Sequence, residues 1–254
     1  MIEAVNLVKR FDERDVLKGI NARFERGKTN LVIGKSGSGK TVMIKLLSGL
    51  LSPDGGQILF EGENVPDLSP RDKHRIQRET GMIFQNGALF DSMSVGENVG
   101  FPLRMFTQMG RKEMQKRVEE CLERVDLANT MRLYPAELSG GMRKRVAIAR
   151  AIAPRPKYLF CDEPNSGLDP TTGLLIDSLI HNLTQEFDIT TIVNTHDMNS
   201  VMAIGDTVVF LYEGQLAWQG TSKEVLSSDN EQLNAFVFAT PMAQKVKQLH
   251  EERG

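Results

Sequence analysis

Cysteine and tryptophan are both scarce in this sequence. The 254 residues include two cysteines, Cys121 and Cys161, and one tryptophan. Two cysteines are too few for a disulfide scaffold, and Cys161 stands in an apolar stretch, where we expect a packed thiol. The class of small, disulfide-stabilised secreted proteins is therefore excluded.

A strong net charge and a long apolar run are also missing. Lysine and arginine total 31 against 33 aspartates and glutamates, a net charge of -2 that gives no overall attraction to nucleic acid. No apolar run approaches the roughly 18 residues of a membrane span. Residues 1–6 lack the basic and apolar segments of a signal peptide. We therefore expect a cytoplasmic protein with no membrane span and no nucleic-acid partner.

Glycine, in contrast, is concentrated in one short segment. Residues 34–41 read GKSGSGKT and fit the phosphate-loop pattern GxxxxGK[ST] without a mismatch. An apolar run precedes them at 31–33, and apolar residues at helical spacing follow at 42–47. Glycine lets the backbone N–H groups turn toward a phosphate at the start of a helix. The predicted nucleotide-binding residues of this loop are Gly34, Lys35, Ser36, Gly37, Ser38, Gly39, Lys40 and Thr41.

Two residues of the loop have more specific expected roles. Lys40 is expected to reach the β- and γ-phosphates of a nucleotide, and the Thr41 hydroxyl is expected to bind Mg²⁺. The alternative is a glycine-rich loop with an unrelated lysine. Because the flanking strand and helix both fit the motif, we favour the nucleotide interpretation.

The chain is organised in three stretches. Residues up to about 86 contain turn and strand signals, notably at 54–64, that indicate antiparallel β structure. Residues 87–156 are mostly helical in pattern, with apolar residues on one face of 112–124. Apolar strands return at 158–161, 190–193 and 207–211, separated by helices or loops. This alternation predicts a parallel α/β core that a helical block interrupts.

The strand at 158–161 ends in two carboxylates, Asp162 and Glu163. Ligands of open α/β sheets bind at the carboxyl edge of the strands, so these acids are expected beside the phosphate loop. Asp162 would hold Mg²⁺, and Glu163 would orient or deprotonate an attacking water. Taken alone, the same residues would also fit a solvated strand end.

Residues 138–142, LSGGM, indicate a second anion site. Ser139 is a good N-cap, and Gly140 and Gly141 leave the backbone exposed before a helix that we predict at 143–153. An ordinary capped helix is the alternative. One nucleotide does not need two such sites, so we expect a dimer in which each signature segment caps the γ-phosphate held by the other subunit.

With these motifs in order, the chain resembles the ATP-binding-cassette ATPases over nearly its whole length. The resemblance implies an α/β P-loop NTPase (RecA-like) parallel-sheet core with an antiparallel β subdomain and an inserted α-helical subdomain. It implies one domain, 1–254. The catalytic core and β subdomain would occupy 1–86 and 157–222, the helical subdomain 87–156 and the C-terminal tail 223–254.

The resemblance also assigns roles to individual residues. ATP and Mg²⁺ are the implied cofactors. Gln85 matches the glutamine that links Mg²⁺ to the transporter-facing segment, and residues 166–169 match the loop that crosses to the other subunit. The catalytic residues would be Glu163, His196 and Lys40, and the metal ligands Thr41, Gln85 and Asp162. Phe11 would stack on adenine with Val16 nearby, although Phe11 also fits a plain core position and His196 a structural one. Met142 departs from the usual glutamine, which bears on the subfamily.

The segment 84–93, FQNGALFDSM, is similar to the Mce/Mla-type lipid-transport ATPases. This similarity implies a cassette on the inner face of the cell membrane, bound to integral permease subunits. It also implies an Mce-type lipid-binding protein and an accessory cytosolic subunit as further partners. Leu89, Phe90, Met93 and Val95 are expected to form an apolar socket for the permease, with helical-subdomain core as the alternative.

Three rival functions remain open. A cassette for a small polar solute would share every catalytic motif, a soluble repair or translation cassette would usually carry two cassettes, and a non-catalytic scaffold would lack Glu163 or His196. The apolar residues Leu233, Phe236, Val237 and Phe238, followed by Met242, Val246 and Leu249, favour packing of the tail on its own domain. Docking of this tail onto another subunit is the alternative.

Overall fold

A computed structural model describes residues 1–239 and residue 245. Ten strands and nine α-helices lie within the described residues. The strands are β1 (Ile2–Phe11), β2 (Arg14–Phe24), β3 (Thr29–Ile33), β4 (Gly55–Phe60), β5 (Glu63–Asn64), β6 (Thr80–Ile83), β7 (Tyr158–Asp162), β8 (Thr190–Thr195), β9 (Thr207–Tyr212) and β10 (Gln215–Gly220). The helices are α1 (Lys40–Leu47), α2 (Pro70–Arg78), α3 (Val95–Phe106), α4 (Arg111–Arg124), α5 (Gly140–Ile152), α6 (Pro170–Phe187), α7 (Met198–Ile204), α8 (Ser222–Leu226) and α9 (Glu231–Val237).

The central sheet has six strands in the order β10-β9-β3-β8-β7-β6. The pairs β9–β3, β3–β8, β8–β7 and β7–β6 are parallel, and β10 joins β9 antiparallel at the edge. The three strands expected in the last third of the chain are confirmed as β7, β8 and β9. Since β3, β8 and β7 are neighbours, the segments that follow them meet at one edge of the sheet.

A second sheet has four strands in the order β2-β1-β4-β5, and all of its pairs are antiparallel. Its buried side chains pack with those of α1 and with one face of the central sheet, as Phe24, Phe60, Ile44 and Phe160 do. The antiparallel structure expected before residue 86 is therefore confirmed. Helix α1, which follows the phosphate loop, is held between the two sheets.

The helical block contains α3, α4 and α5. Helix α3 begins at a capping box, in which the Ser94 hydroxyl accepts the Glu97 N–H and the Glu97 carboxylate accepts the Ser94 N–H. The apolar face predicted for α4 is buried, with Val118, Cys121 and Leu122 in the main core. The domain boundaries at 86, 156 and 222 remain predictions.

Two expectations about this block are wrong. Helix α5 begins at Gly140 and not at residue 143, because the Ser139 hydroxyl caps it by accepting the Met142 N–H. Val95 is fully buried at the start of α3, so it belongs to the core and not to an exposed socket. In both cases the helix begins directly after its N-cap serine, at Val95 for α3 and at Gly140 for α5.

The described part of the tail packs on its own domain. Leu233 is fully buried, Val237 and Phe238 are buried, and the Phe236 ring lies 5.5 Å from that of Phe210, centroid to centroid. The packing expected for the tail is confirmed for α9, while Met242, Val246 and Leu249 lie outside the described residues. Across residues 1–239, no helix combines the length and apolar character of a membrane span.

Candidate functional site

The phosphate loop connects β3 to α1. At two of its positions, Gly34 and Gly39, the backbone leaves no room for a side chain. Gly39 has a φ of 104°, and a Cβ there would lie 2.6 Å from the Leu17 side chain. At Gly34, a Cβ would lie 2.4 Å from the carbonyl oxygen of Leu211. A side chain at either position would displace the loop, so the glycines set its curvature.

The interior of this loop suits an anion. Lys40 Nζ donates to the carbonyl oxygens of Gly34 at 2.9 Å and Lys35 at 3.2 Å. Burial lowers the pKa of the Lys40 ammonium, while the charges of Glu163 and Asp162 act in the opposite direction. Ser38 Oγ is buried and has no hydrogen-bond partner among the described residues, although buried hydroxyls are normally paired. A phosphate oxygen would satisfy both the lysine and the loop's free polar groups.

Thr41 and Asp162 lie together beside the loop. Thr41 Oγ1 donates to Asp162 Oδ1 at 3.2 Å, which brings the first turn of α1 to the end of β7. A hydroxyl and a carboxylate are oxygen ligands of the kind Mg²⁺ uses. Within the described residues no three acidic, histidine or cysteine side chains form a metal cluster. Mg²⁺ is usually bound by one or two carboxylates together with water and substrate phosphates.

Glu163 occupies a strained position at the centre of the cleft. Its φ of 46° is in the left-handed region, which a non-glycine residue rarely adopts. Glu163 Oε1 lies 3.1 Å from His196 Nδ1, and Glu163 Oε2 accepts from Gln85 Nε2 at 3.3 Å. Strain of this kind persists where the surrounding structure holds it, and it is frequent at functional sites. The structure therefore brings Gln85, Glu163 and His196 together.

Asn194 joins the same group, although the sequence reasoning did not select it. Its Nδ2 donates to Asp162 Oδ1 at 2.6 Å and lies 3.4 Å from Thr41 Oγ1. Its Oδ1 accepts the backbone N–H of Glu163 at 2.7 Å. The available signal in the sequence was a polar Asn194 directly after the apolar residues Ile192 and Val193, two positions before His196.

A broad cleft contains most of the predicted residues. It extends from the phosphate loop to the C-terminal helices, and its lining includes Val16, Lys40, Thr41, Glu163, His196 and Phe236. Phe11 is not part of the lining. Its ring is 43% exposed, and Lys9 Nζ lies 5.3 Å from the ring centroid. The adenine-stacking role of Phe11 stays a prediction.

The signature segment lies apart from the phosphate loop. Gly140 lines a second, smaller cleft with Gln85, Lys144 and Leu168, and no residue of the phosphate loop belongs to that lining. The loop 166–168 borders both clefts. In one chain, the groups expected to bind the same nucleotide are therefore divided between two clefts.

The segment after Gln85 is fastened to α5. Arg150 donates to the carbonyl oxygens of Ala88 and Gly87, each at 2.7 Å. Lys144 Nζ, which is largely buried, donates to the carbonyl oxygen of Gln85. Burial lowers the pKa of both Lys144 and Arg150. Residues 85–88 are therefore tied to the helix that the signature segment begins.

Beyond this segment the helical block exposes apolar side chains. Phe90 packs against Phe101, with ring centroids 4.9 Å apart, and is 40% exposed. On α3, Met105 and Phe106 are 61% and 41% exposed. Leu89 and Met93 are partly exposed. We call Phe90, Met105 and Phe106 the apolar surface of the helical block.

Comparison with known proteins gives concordant matches. A sequence model of the ABC transporter family matches residues 17–166. The intermembrane phospholipid transport system ATP-binding protein MlaF of Haemophilus influenzae is 36% identical, over 99% of this chain and 98% of that protein. The methionine import ATP-binding protein MetN 2 of Pseudomonas syringae pv. tomato is 38% identical, over 89% of this chain and 68% of that protein.

Solved structures agree with the fold. A dimeric ATP-binding cassette in a post-hydrolysis state, bound to ADP and Pi, is 31% identical with a TM-score of 0.79. The match covers 87% of this chain and 99% of that chain.

Proposed function

Because this chain belongs to the ABC transporter family, as an ATP-binding subunit that hydrolyses ATP, we propose that it powers phospholipid transport of the Mce/Mla type. The observation that carries the proposal is the similarity to MlaF, which extends over 99% of the chain. The lipid substrate would be handled by membrane partners, and the cassette would supply the work of ATP hydrolysis.

In the proposed mechanism the phosphate loop holds the β- and γ-phosphates, with Lys40 as the cation of the loop. Mg²⁺, held by Thr41 and Asp162 and approached by Gln85, would neutralise charge on the phosphates. Glu163 would orient or deprotonate the attacking water, and His196 would contact the γ-phosphate. The 3.1 Å contact between His196 and Glu163 supports a joint role for these two residues.

A second copy of the chain is the proposed partner in hydrolysis. Ser139, Gly140 and Gly141 line up at the start of α5, away from their own phosphate loop. In a head-to-tail pair, each signature segment would cap the γ-phosphate in the other subunit. The dimeric state of the related solved cassette supports this arrangement.

The proposed membrane partners are integral permease subunits, with an Mce-type lipid-binding protein and an accessory cytosolic subunit. The cassette would be peripheral on the inner face of the membrane through the permease. The apolar surface of the helical block supports this, because exposed apolar patches mark interaction sites. Phe90 of this surface follows residues 85–88 in the chain, which would connect the permease contact to Gln85.

A second candidate function is the import of a small polar solute. The observation that favours it is the 38% identity to a methionine import ATP-binding protein. The two candidates share the ATP chemistry and differ in the membrane partner. Only the bound partner and substrate distinguish them.

The decisive experiment purifies the cassette with its partners from the native membrane and identifies bound molecules by mass spectrometry. Phospholipid bound to the complex supports lipid transport. So does ATPase activity that changes with lipid composition after the complex is reconstituted in nanodiscs. A complex prepared with Glu163→Gln controls for ATP hydrolysis by contaminating enzymes. Recovery of a small-solute receptor with no bound lipid contradicts the proposal.

A further inference from the structure

Asn194 lies at the centre of the predicted catalytic group without belonging to any of its motifs. It stands in β8 between β3 and β7, directly opposite Val32 on one side and Asp162 on the other. Its side chain is fully buried. A buried amide in a central parallel strand must be hydrogen-bonded, because its desolvation otherwise costs about 1 to 3 kcal/mol.

The hydrogen bonds of Asn194 are directed to the site. Nδ2 donates to Asp162 Oδ1 at 2.6 Å, and the same oxygen accepts the Thr41 hydroxyl at 3.2 Å. Oδ1 accepts the Glu163 N–H at 2.7 Å. One side chain therefore contacts the two carboxylate-bearing residues by opposite ends of its amide.

We propose that Asn194 is a positioning residue that sets the orientation of the Asp162 carboxylate for Mg²⁺ and supports the strained backbone of Glu163. The inference rests on the proposed metal role of Asp162. With Oδ1 engaged by Asn194 and Thr41, the carboxylate cannot rotate freely, so its other oxygen is held in one orientation. Partners of a metal ligand that orient it in this way typically change metal affinity by about 10- to 100-fold when removed.

Support for Glu163 follows from the acceptor end of the same amide. The backbone nitrogen of Glu163 is 3.2 Å from the backbone oxygen of Asn194 and 2.7 Å from its side-chain Oδ1, so the side chain accepts the shorter hydrogen bond. An apolar residue at 194 would leave only the longer bond at a backbone with a φ of 46°. It would also leave the Asp162 carboxylate with Thr41 alone.

The test measures binding of a fluorescent ATP analogue to the purified chain, with and without Mg²⁺. In Asn194→Leu we expect the apparent Mg²⁺ affinity to fall about 10-fold. The affinity for nucleotide without Mg²⁺ should stay within about twofold of wild type, because the phosphate loop is intact. Asn194→Ala, which cannot overpack the strand, should show the same loss if leucine impairs folding.

A matched control lies on the same strand. Thr190 lies four residues before Asn194 and therefore on the same face of β8. It is fully buried, and its hydroxyl has no hydrogen-bond partner among the described residues. Thr190→Val should leave both affinities unchanged. Loss of Mg²⁺ affinity in this variant as well would mean that replacing any polar residue of β8 by an apolar one disturbs the site, and would overturn the inference.

A double-mutant cycle separates positioning from general structure. In an Asp162→Asn background, Asn194→Leu should change the Mg²⁺ affinity by less than about twofold, because the carboxylate that Asn194 is proposed to orient is already absent. An undiminished effect in that background, or wild-type Mg²⁺ dependence of Asn194→Leu, overturns the inference alone. If Asp162→Asn itself leaves Mg²⁺ dependence intact, the proposed role of Asp162 is wrong and the inference is wrong with it.

Discussion

The phosphate-loop cleft and the signature cleft differ in how much of a site one chain provides. Around the phosphate loop, three separate segments converge within hydrogen-bonding distance, as the contacts of Thr41 with Asp162 and of His196 with Glu163 show. At the signature segment, the Ser139 hydroxyl is occupied by its own helix, and no residue of the phosphate loop lines that cleft. The first is a nearly finished site, whereas the second contains no phosphate-loop residue within the described part of the chain.

This difference fits the proposal that the complete site forms between two copies of the chain. The strands β3, β8 and β7 bring the first cleft together without help, because they are neighbours in the sheet. The signature segment belongs to the helical block, which is joined to the sheet by other segments. Four changes to the chain sharpen or contradict this contrast.

The largest effect is expected at the finished site. Glu163→Gln should lower kcat for ATP about 1000-fold while ATP binding is retained, since the amide cannot accept the proton of the water. Steady-state hydrolysis by the complex and equilibrium nucleotide binding measure the two quantities. Glu123→Gln, at an exposed position of α4, serves as control. Wild-type turnover in Glu163→Gln would show that another group is the base.

A substitution at the signature segment should separate hydrolysis from binding. Ser139→Arg places a cation at the start of α5, and we expect hydrolysis to fall about 100-fold because the composite site cannot close. Nucleotide affinity of the isolated chain should change by less than about twofold, because the phosphate loop is in another cleft. Gln115→Arg, on an exposed part of α4, is the matched control. Equal loss of affinity in the isolated chain would mean that Ser139 serves its own subunit's nucleotide.

Helix α9 is expected to stabilise the main core, beside the phosphate-loop cleft. Phe236 lines the broad cleft, and Leu233 on the same helix is fully buried in the main core. Leu233→Ala should lower the free energy of unfolding by about 3 kcal/mol, measured by denaturant titration of the isolated chain. Gln232→Ala, exposed on the same helix, should have little effect. A stable Leu233→Ala chain with weakened assembly would instead favour docking of the tail onto another subunit.

The smallest effect concerns Asp177, which supports the finished site from α6. Its Oδ2 accepts from Asn165 at 3.1 Å and from Ser200 at 2.7 Å, whereas Oδ1 is buried without a partner among the described residues. Burial raises the pKa of Asp177 to about 6 from its ordinary 3.8. The folded state therefore binds this proton more tightly than the unfolded chain does. The resulting cost to stability is absent below the unfolded pKa and complete above the folded one.

Asp177→Asn removes this titration and keeps the shape of the side chain. The unfolding free energy of the variant relative to wild type should rise by about 1 to 2 kcal/mol between pH 5 and pH 8. Denaturant titrations of both proteins at the two pH values give this difference. A difference that is constant with pH would mean that Asp177 is not the titrating group.

The sequence predicted those parts of the site that short motifs encode. The phosphate loop, the strand that ends at Asp162 and the position of His196 depend on local patterns, and all three lie where neighbouring strands end. Asn194 was not found because its role depends on the register that places it opposite Asp162, and register is a property of the sheet. Val95 was misassigned because the capping box of Ser94 starts α3 at that residue. The start of α5 was placed three residues late although Ser139 was recognised as an N-cap, because two glycines follow it and glycine disfavours helix.

The attachment of residues 85–88 to α5 has a mechanical consequence. Lys144 and Arg150 are separated by nearly two turns of helix, about 9 Å, and both donate from charged groups to backbone carbonyls. Each such bond is worth about 1.5 to 3 kcal/mol, so a tilt of α5 carries the segment along more cheaply than it breaks the bonds. Gln85, which reaches Glu163, then shifts with the helix. A movement of the helical block would therefore reach the Glu163 carboxylate through α5, residues 85–88 and the Gln85 side chain.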